Sequence, residues 1–279
     1  MLLTPRYDGV PAMTIDGPAG DQRDPLLRQR RRMESLLGAL TDEQWSHPTR
    51  CDGWTVQDVV AHLVGTNQFW QASIASGLAG QPTRVLARFD PAATPPLMVE
   101  PMRSMTSQEV LEEFVDSNRG FFDVVGMLDD ATWSMLAEAP PGHIPIRLVV
   151  NHAMWDAWIH ERDIALPLGI TTDEEPDEVR SCLRYVAALA PTLAQSREPA
   201  LRGSLVIDAT DPECRYVVEA GATVTVHSGT APSGSVQLRG RAVDLVEALS
   251  IRAPIDQPVA EEGRWLLGGL ADAFDRSPA

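Results

Sequence analysis

Three side chains that could bind a metal ion, His62, Asp156 and His160, fall within segments that have the apolar periodicity of α-helices. Asp156 and His160 are four residues apart, so both leave the same helix face one turn apart. Helix bundles hold metals with side chains from facing helices, and two imidazoles with one carboxylate suit Zn²⁺ or Fe²⁺ and leave a catalytic coordination position open. The alternative is a set of packed polar residues, because spacing alone does not bring His62 to the other pair.

Three more polar residues lie near these candidates in the sequence. His152 is one turn before Asp156 and could be a fourth ligand, a proton shuttle or a packing residue; we place it in the pocket, beside the ligands. Asp163 ends the same segment, and we expect it to anchor the helix end through Arg162 or through nearby hydrogen bonds. Cys51 precedes a helix N-terminus, a position that can activate a thiol, but the sequence fixes no base beside it. We therefore expect a buried structural cysteine.

The charged residues exclude several classes of protein. All 23 basic residues are arginines, so Schiff-base chemistry on a lysine and a GxxxxGK[ST] phosphate loop are both excluded. A net charge of −16 argues against a nucleic-acid partner. Three cysteines are too few for a disulfide framework, and no apolar run approaches the roughly 18 residues of a membrane helix. With no signal-peptide pattern, we expect a cytoplasmic protein with a small-molecule substrate and no membrane partner.

Four long amphipathic segments would position the candidate ligands. Thr55 and Asp58 form a capping-box pattern at the start of the helix that carries His62. Residues 1–22 show no periodicity and are predicted to be a mobile tail. Residues 80–105 contain five prolines and are predicted to be a long loop without helix. Helices are predicted over residues 24–40, 56–78, 106–128 and 146–164, which together make a four-helix bundle with one long crossover.

The composition changes after residue 170. Residues 171–199 are predicted to form a linker and a helix. Residues 200–279 contain short runs typical of strands, separated by turn dipeptides, and are predicted to be a small α+β domain with an antiparallel sheet. The chain as a whole is therefore predicted to be α+β. Strands are predicted over residues 204–209, 215–219, 223–227 and 235–239, and further helices over residues 178–195, 242–251 and 263–274.

Two helical motifs resemble those of the mycothiol-dependent maleylpyruvate isomerase family, which belongs to the DinB-like metal-binding four-helix bundles. One is CDGWTVQDVVAHL, which contains His62, and the other is DAWIHERDIA, which contains Asp156 and His160. The stretch SVQLRGRAVDLVEAL, followed by Ser250-Ile-Arg252, looks like the sterol-carrier-like C-terminal domain of that family. The resemblance implies a DinB-like bundle over residues 23–170 and a sterol-carrier-like domain after it.

The resemblance also implies a site. It places Zn²⁺ on His62, Asp156 and His160, in a cleft between the two domains. Some relatives use mycothiol, a low-molecular-weight thiol of actinobacteria, whose thiolate would bind or approach the metal. Arg252, and after it Arg239, would hold a substrate carboxylate by paired hydrogen bonds. This chain departs from the isomerase in its aspartate ligand, where the isomerase resembles a glutamate pattern, and in its long proline-rich segment.

From these features we expect a metal-dependent, mycothiol-using isomerase or thiol transferase, either a monomer or a homodimer. Its substrate would be a small electrophilic or carboxylate-bearing metabolite. One alternative is a thiol-independent lyase or hydrolase that uses the metal together with His152 as a proton shuttle. A second alternative is a ligand-binding protein whose metal site is not catalytic.

Overall fold

The computed structural model describes residues 3–17 and 22–274. Within these residues the predicted fold class is confirmed: a helical N-terminal part is followed by a C-terminal part built on a sheet. The helices are α1 (Arg23–Gly38), α2 (Asp42–Trp45), α3 (Val56–Leu78), α4 (Thr94–Val99), α5 (Ser107–Gly126), α6 (Ile146–Ala165), α7 (Pro176–Arg197), α8 (Ala242–Leu249) and α9 (Trp265–Ala273). The strands are β1 (Met13–Ile15), β2 (Leu136–Ala139), β3 (Gly142–Pro145), β4 (Gly203–Thr210), β5 (Cys214–Ala220), β6 (Val224–His227) and β7 (Val236–Arg241).

The four-helix bundle consists of α1, α3, α5 and α6. Two of its helices begin where the sequence places capping residues: Thr55 and Thr106 each form a complete capping box, at α3 and α5. Every residue of α6 except Arg147 is buried, so this helix lies at the centre of the molecule and is covered on all sides. The polar groups that α6 carries are therefore placed in the interior, where each requires a partner.

The larger sheet has the strand order β1-β6-β5-β4-β7. The three central strands pair antiparallel, as the sequence predicts, while the edge strands β1 and β7 run parallel to their neighbours. Helix α7 contacts β1, β5 and β6 and also packs against α1 and α6, so it joins the sheet to the bundle. Among the described residues, no helix is long and apolar enough to cross a membrane.

The prediction of a mobile tail over residues 1–22 is wrong for much of that segment. Met13 and Ile15 are 0% and 2% exposed, and β1 pairs with β6. A three-residue strand is too short to show a period-2 pattern, and its partner lies more than 200 residues away, so no hairpin signal exists. Residues 1, 2 and 18–21 lie outside the described part of the chain.

The proline-rich segment 80–105 is also not free of helix. It contains α4, whose first turn includes Pro95 and Pro96. A proline at the first helical positions gives up an N–H that has no intrahelical partner there, so it is compatible with a helix start. The β2–β3 hairpin, which lies just before α6, is also absent from the sequence predictions, although Pro141-Gly142 at its turn is a turn dipeptide.

Candidate functional site

The structure brings the three predicted metal ligands together. His62 lies on α3, and Asp156 and His160 lie on α6. His62 Nε2 is 3.9 Å from Asp156 Oδ2, and His160 Nε2 is 3.6 Å from Asp156 Oδ1. The three donor atoms all lie within 4.8 Å of one another. Two facing helices of the bundle thus supply one compact set of donors, which we call the triad.

The triad fits a divalent cation. Ligand atoms about 2.0–2.1 Å from a tetrahedral Zn²⁺ are separated by roughly 3.3–3.4 Å, close to the separations between Asp156 and each histidine. These separations are too long for good hydrogen bonds. Asp156 Oδ2 is buried and has no hydrogen-bond partner among the described residues. A buried carboxylate oxygen without a donor is costly, and a cation between the three groups would satisfy it.

The protonation of the triad also favours a cation. Burial lowers the pKa of His62 to about 4, so this imidazole is neutral and its nitrogen is free to act as a ligand. Burial would likewise lower the pKa of His160, but Cys51 and Asp163 outweigh it and raise that pKa to about 10. Negative and acidic groups therefore surround His160 and stabilise positive charge there, whether that charge is a proton or a metal ion.

Asp163 connects the triad to two arginines. Its carboxylate is fully buried and lies 3.0 Å from His160 Nδ1, while Arg252 donates to it at 2.8 and 2.9 Å and Arg50 at 3.0 Å. Although burial raises the pKa of an aspartate, hydrogen bonds from His160 and Arg252 hold the pKa of Asp163 far below its usual range. Because this carboxylate accepts from Nδ1, it orients the ring with Nε2 toward Asp156.

Of the two roles expected for Asp163 from the sequence, the structure shows hydrogen bonds to nearby groups, not an ion pair with Arg162. Arg162 does not contact Asp163; it donates to Glu247 of α8 at 2.5 Å. Arg50 also binds Glu247, at 2.7 Å, so the network crosses from the bundle to the C-terminal part. Sequence reasoning missed Arg50 and Glu247, which are 197 residues apart and carry no local motif.

Cys51 has the neighbours that the sequence could not place beside it. Its Sγ lies 3.2 Å from Asp163 Oδ2, 3.6 Å from Arg252 Nη2 and 3.7 Å from His160 Nδ1. The thiol is only partly buried and lies on the wall of the cavity described next. It is therefore a polar member of the site rather than a core residue.

A cavity of about 620 Å³ opens onto the triad. Residues from both the bundle and the C-terminal part line it, and most of the lining surface is apolar. The polar groups are concentrated at the triad, His152 and Arg252, with Arg88 also on the wall. The apolar part of the wall includes Phe69 and Trp70 of α3, Leu86 and Met98 of the proline-rich segment, Leu189 of α7 and Leu270 of α9.

The three predicted catalytic residues have different positions. His152 lines the cavity and Arg252 lies on its wall beside Cys51. Arg239 is not brought to the site: its side chain is 73% exposed on β7 and lies 3.5 Å from Asp208 on the neighbouring strand. Its position in the β4–β7 register, directly opposite Asp208, gives it a partner on the sheet surface instead.

The buried Glu138 of β2 is a further residue that the sequence analysis missed. Its carboxylate accepts hydrogen bonds from Thr83, from the backbone N–H groups of Val85 and Leu86, and from the Tyr7 hydroxyl. It thereby fastens the start of the proline-rich segment against the hairpin. A single acidic residue among apolar neighbours in the sequence could have suggested such a partner.

Fold and site together define a helix bundle with a buried His/Asp/His triad, joined to an α+β unit across an apolar cavity. The family model described as the mycothiol maleylpyruvate isomerase N-terminal domain matches residues 26–165, which is half of the chain. The chain therefore belongs to this family, and the resemblance seen in the helical motifs is confirmed.

Comparisons with individual proteins find relatives in sequence and a solved structure of similar fold. Two uncharacterized proteins from strains of Mycobacterium tuberculosis are each 26% identical over 182 residues, covering 63% of this chain and 84% of each relative. The crystal structure of the mycothiol-dependent maleylpyruvate isomerase superposes with a TM-score of 0.61 at 14% identity, covering 90% of this chain and 97% of that one. A histidine-to-alanine mutant of that isomerase gives the same values. At this identity the likeness concerns the fold.

Proposed function

We propose that this protein is a metal-dependent enzyme that uses a low-molecular-weight thiol, such as mycothiol, to isomerise or conjugate an electrophilic small molecule. The observation that carries the proposal is the position of the triad in the wall of a mainly apolar cavity. Family membership supports the thiol, because the family takes its name from a mycothiol-dependent isomerase. The proposed metal ligands are His62, Asp156 and His160.

A divalent ion on the triad, most simply Zn²⁺, would supply Lewis acidity and favour the thiolate form of the thiol. Residues of the protein itself hold the ligand atoms in place. Asp163 holds Nδ1 of His160, so Nε2 is left as the ligand atom. Arg252 binds Asp163 with its Nε and Nη2 atoms and is held against Cys51, so it acts first as a positioning residue for the His160–Asp163 pair.

The cavity indicates the class of substrate. A thiolate adds to an alkene conjugated to a carbonyl: an S–C bond forms, and the π electrons move onto the carbonyl oxygen. The former carbon–carbon double bond is now single and can rotate; return of the electrons from the oxygen then reforms the double bond, breaks the S–C bond and releases the thiolate. About 620 Å³ of mainly apolar space suits a substrate with a ring or an extended acyl body. We therefore propose an unsaturated carbonyl compound whose body is more apolar than a small dicarboxylate.

cis-3-Benzoylacrylate combines these features, because it has a phenyl ring, a conjugated carbonyl and a carboxylate. We expect the Zn²⁺-loaded protein with added mycothiol to accelerate its conversion to the trans isomer, followed by absorbance, and to prefer it to maleylpyruvate. Removal of the metal with a chelator should abolish the acceleration, and added Zn²⁺ should restore it. The His62→Ala variant serves as the control for metal bound elsewhere.

The possible negative results of this experiment contradict different parts of the proposal. Acceleration that persists without any thiol would contradict thiol dependence, and a cleaved or hydrated product in place of the trans isomer would favour the lyase or hydrolase alternative. A protein that binds benzoylacrylate without accelerating its conversion, with or without metal, would favour the ligand-binding alternative. Preference for maleylpyruvate over benzoylacrylate would contradict the apolar substrate class while leaving the reaction type intact.

A further inference from the structure

His152 and Tyr185 form a hydrogen-bonded pair among aromatic side chains, and Asp156, one helix turn from His152, is the charged group that acts on both. His152 Nδ1 lies 2.7 Å from the Tyr185 hydroxyl, and Tyr185 is 0% exposed. Trp70 and Trp155 pack against the imidazole with ring centroids 4.8 and 5.2 Å away. Within the described residues, the Tyr185 hydroxyl has no hydrogen-bond partner other than His152. The direction of its O–H bond and the tautomer of the imidazole therefore depend on each other.

The pair can share its hydrogen bond in two ways. In the first, the Tyr185 O–H donates to Nδ1, and the imidazole proton is on Nε2. In the second, an Nδ1–H donates to the phenol oxygen, and the phenol proton is left without an acceptor in an apolar environment. Leaving a buried donor unsatisfied is costly, so the first arrangement is the stable one. Burial lowers the pKa of His152 to about 4, so the ring is neutral at pH 7 and carries one proton, on either Nδ1 or Nε2.

The Nε2 atom of His152 remains available for a ligand. The residue lines the cavity that contains the triad, and Nε2 makes no hydrogen bond to any described residue. Trp70 does not supply one, because its buried Nε1 also has no hydrogen-bond partner in the described part of the chain. The Nε2 atom of His152 is thus a polar atom on an otherwise apolar stretch of the cavity wall.

We propose that Tyr185 fixes His152 as the Nε2–H tautomer, so that His152 donates a hydrogen bond to a carbonyl or carboxylate oxygen of the substrate. The substrate part of this inference rests on the proposed function. When a thiolate adds to a conjugated alkene, negative charge develops on the carbonyl oxygen, and a donor placed there stabilises it without giving up its proton. His152 would then be an oxyanion donor, not the proton shuttle considered from the sequence, and Tyr185 would be its positioning residue.

The tautomer can be measured without any substrate. In ¹⁵N NMR of the full chain labelled at histidine, we expect His152 to show a pyrrole-like Nε2 and a pyridine-like Nδ1 at neutral pH. The Nε2–H form should exceed the other by roughly tenfold or more, since that is the order of cost of an unsatisfied buried hydroxyl. The signals are assigned by their loss in His152→Gln. A pyridine-like Nε2, or an imidazolium at neutral pH, would overturn the inference.

The role of Tyr185 is tested by Tyr185→Phe. Removal of the hydroxyl should weaken the preference for Nε2–H several-fold and broaden or shift the His152 signals, whereas a purely space-filling tyrosine would leave them unchanged. Tyr216→Phe is the matched control, because that hydroxyl bonds the backbone of Arg180 instead. If Tyr185→Phe does not fold, the wild-type spectrum still decides the tautomer.

The tautomer of His152 and its hydrogen bond to the substrate are two parts of the inference that can be contradicted separately. With cis-3-benzoylacrylate added, we expect a change in the Nε2 proton resonance of His152, which reports a new hydrogen bond. A confirmed tautomer with no response to this probe would overturn the oxyanion role of His152 on this substrate class. Thiol-dependent turnover with a pyridine-like Nε2 would leave the proposed function standing and refute the inference.

Discussion

At the scale of single residues, the triad rests on three side chains whose loss should be measurable as lost metal. We expect His62→Ala, Asp156→Ala and His160→Ala each to lower the Zn²⁺ content of the purified protein from about one ion per chain to nearly none, because a three-ligand site does not survive removal of one ligand. Elemental analysis by mass spectrometry after dialysis measures this.

The control for this prediction is His227→Ala. His227 lies at the end of β6 and pairs with Glu219 at 2.9 Å, away from the cavity. The His227→Ala variant should retain about one Zn²⁺ ion per chain. Full metal retention in the three triad variants would contradict the assignment of these residues as ligands.

Asp163 is the residue on which the surroundings of the triad depend most. Asp163→Asn keeps the shape of the side chain but leaves Arg50 and Arg252 beside a neutral amide in a buried position. Breaking a buried ion pair by removing one partner costs about 3–5 kcal/mol, and we expect a loss of that order in the free energy of unfolding in urea. Zn²⁺ affinity should also fall by about 10- to 100-fold, because the residue that orients His160 is weakened.

An exposed ion pair provides the comparison for this variant. Asp116 binds Arg119 at 2.8 Å with both side chains about 70% exposed, so Asp116→Asn should change neither stability nor metal affinity measurably. Equal behaviour of the two variants would contradict the central role given to Asp163.

At the scale of elements, the proline-rich segment forms one wall of the cavity and depends on Glu138 for its position. Glu138→Ala removes the acceptor for Thr83 and for two backbone N–H groups, at 2.6 to 3.0 Å. We expect the free energy of unfolding to fall by roughly 2–4 kcal/mol, because several buried donors lose their partner. Amide hydrogen exchange should increase over residues 83–89. Glu113→Ala, on the exposed face of α5, should change neither measurement.

The success of the sequence predictions also varies by element. Long helices with capping boxes, such as α3 and α5, were predicted closely because periodicity and caps are local signals. Strand β1 was missed because its pairing partner is distant and its length is three residues. Helix α4 is not expected from the sequence because prolines inside a segment usually exclude a helix, whereas Pro95 and Pro96 occupy its first turn.

The same distinction applies to the site. His62, Asp156 and His160 were found by residue type, helical spacing and resemblance, and the geometry brings them together. The surroundings were not found, because Arg50, Cys51 and Glu247 reach Asp163 or its partners only through tertiary packing. Arg239 was placed in the cleft by resemblance alone, and its pairing with Asp208 across two strands was invisible in the sequence.

At the scale of the whole molecule, the larger hydrophobic core crosses the boundary that the sequence places between the bundle and the C-terminal domain, while a smaller core, which includes Leu63 and Phe114, lies within the bundle. One hydrophobic cluster contains Trp70 and Phe121 of the bundle, Val186 of α7 and Leu205 and Leu270 of the C-terminal part. The cavity is lined from both sides as well. A substrate in the cavity would therefore contact both parts of the chain, and the stability of each part should depend on the other.

This continuity predicts one cooperative unfolding transition. Glu247 of α8 binds Arg50 and Arg162 of the bundle at 2.7 and 2.5 Å, which adds buried ion pairs to the shared apolar core. Calorimetry of the Zn²⁺-loaded protein should give one peak with a ratio of calorimetric to van't Hoff enthalpy of about 1.

Glu247→Gln should lower the Tm without splitting the peak, because it weakens the ion pairs between the two parts but leaves the core that they share intact. Glu219→Gln, which alters a pair confined to the sheet, should shift the Tm less. Two resolved peaks in the wild-type protein would show that the bundle and the C-terminal part unfold as independent domains, and the cavity between them would then be able to open without loss of either fold.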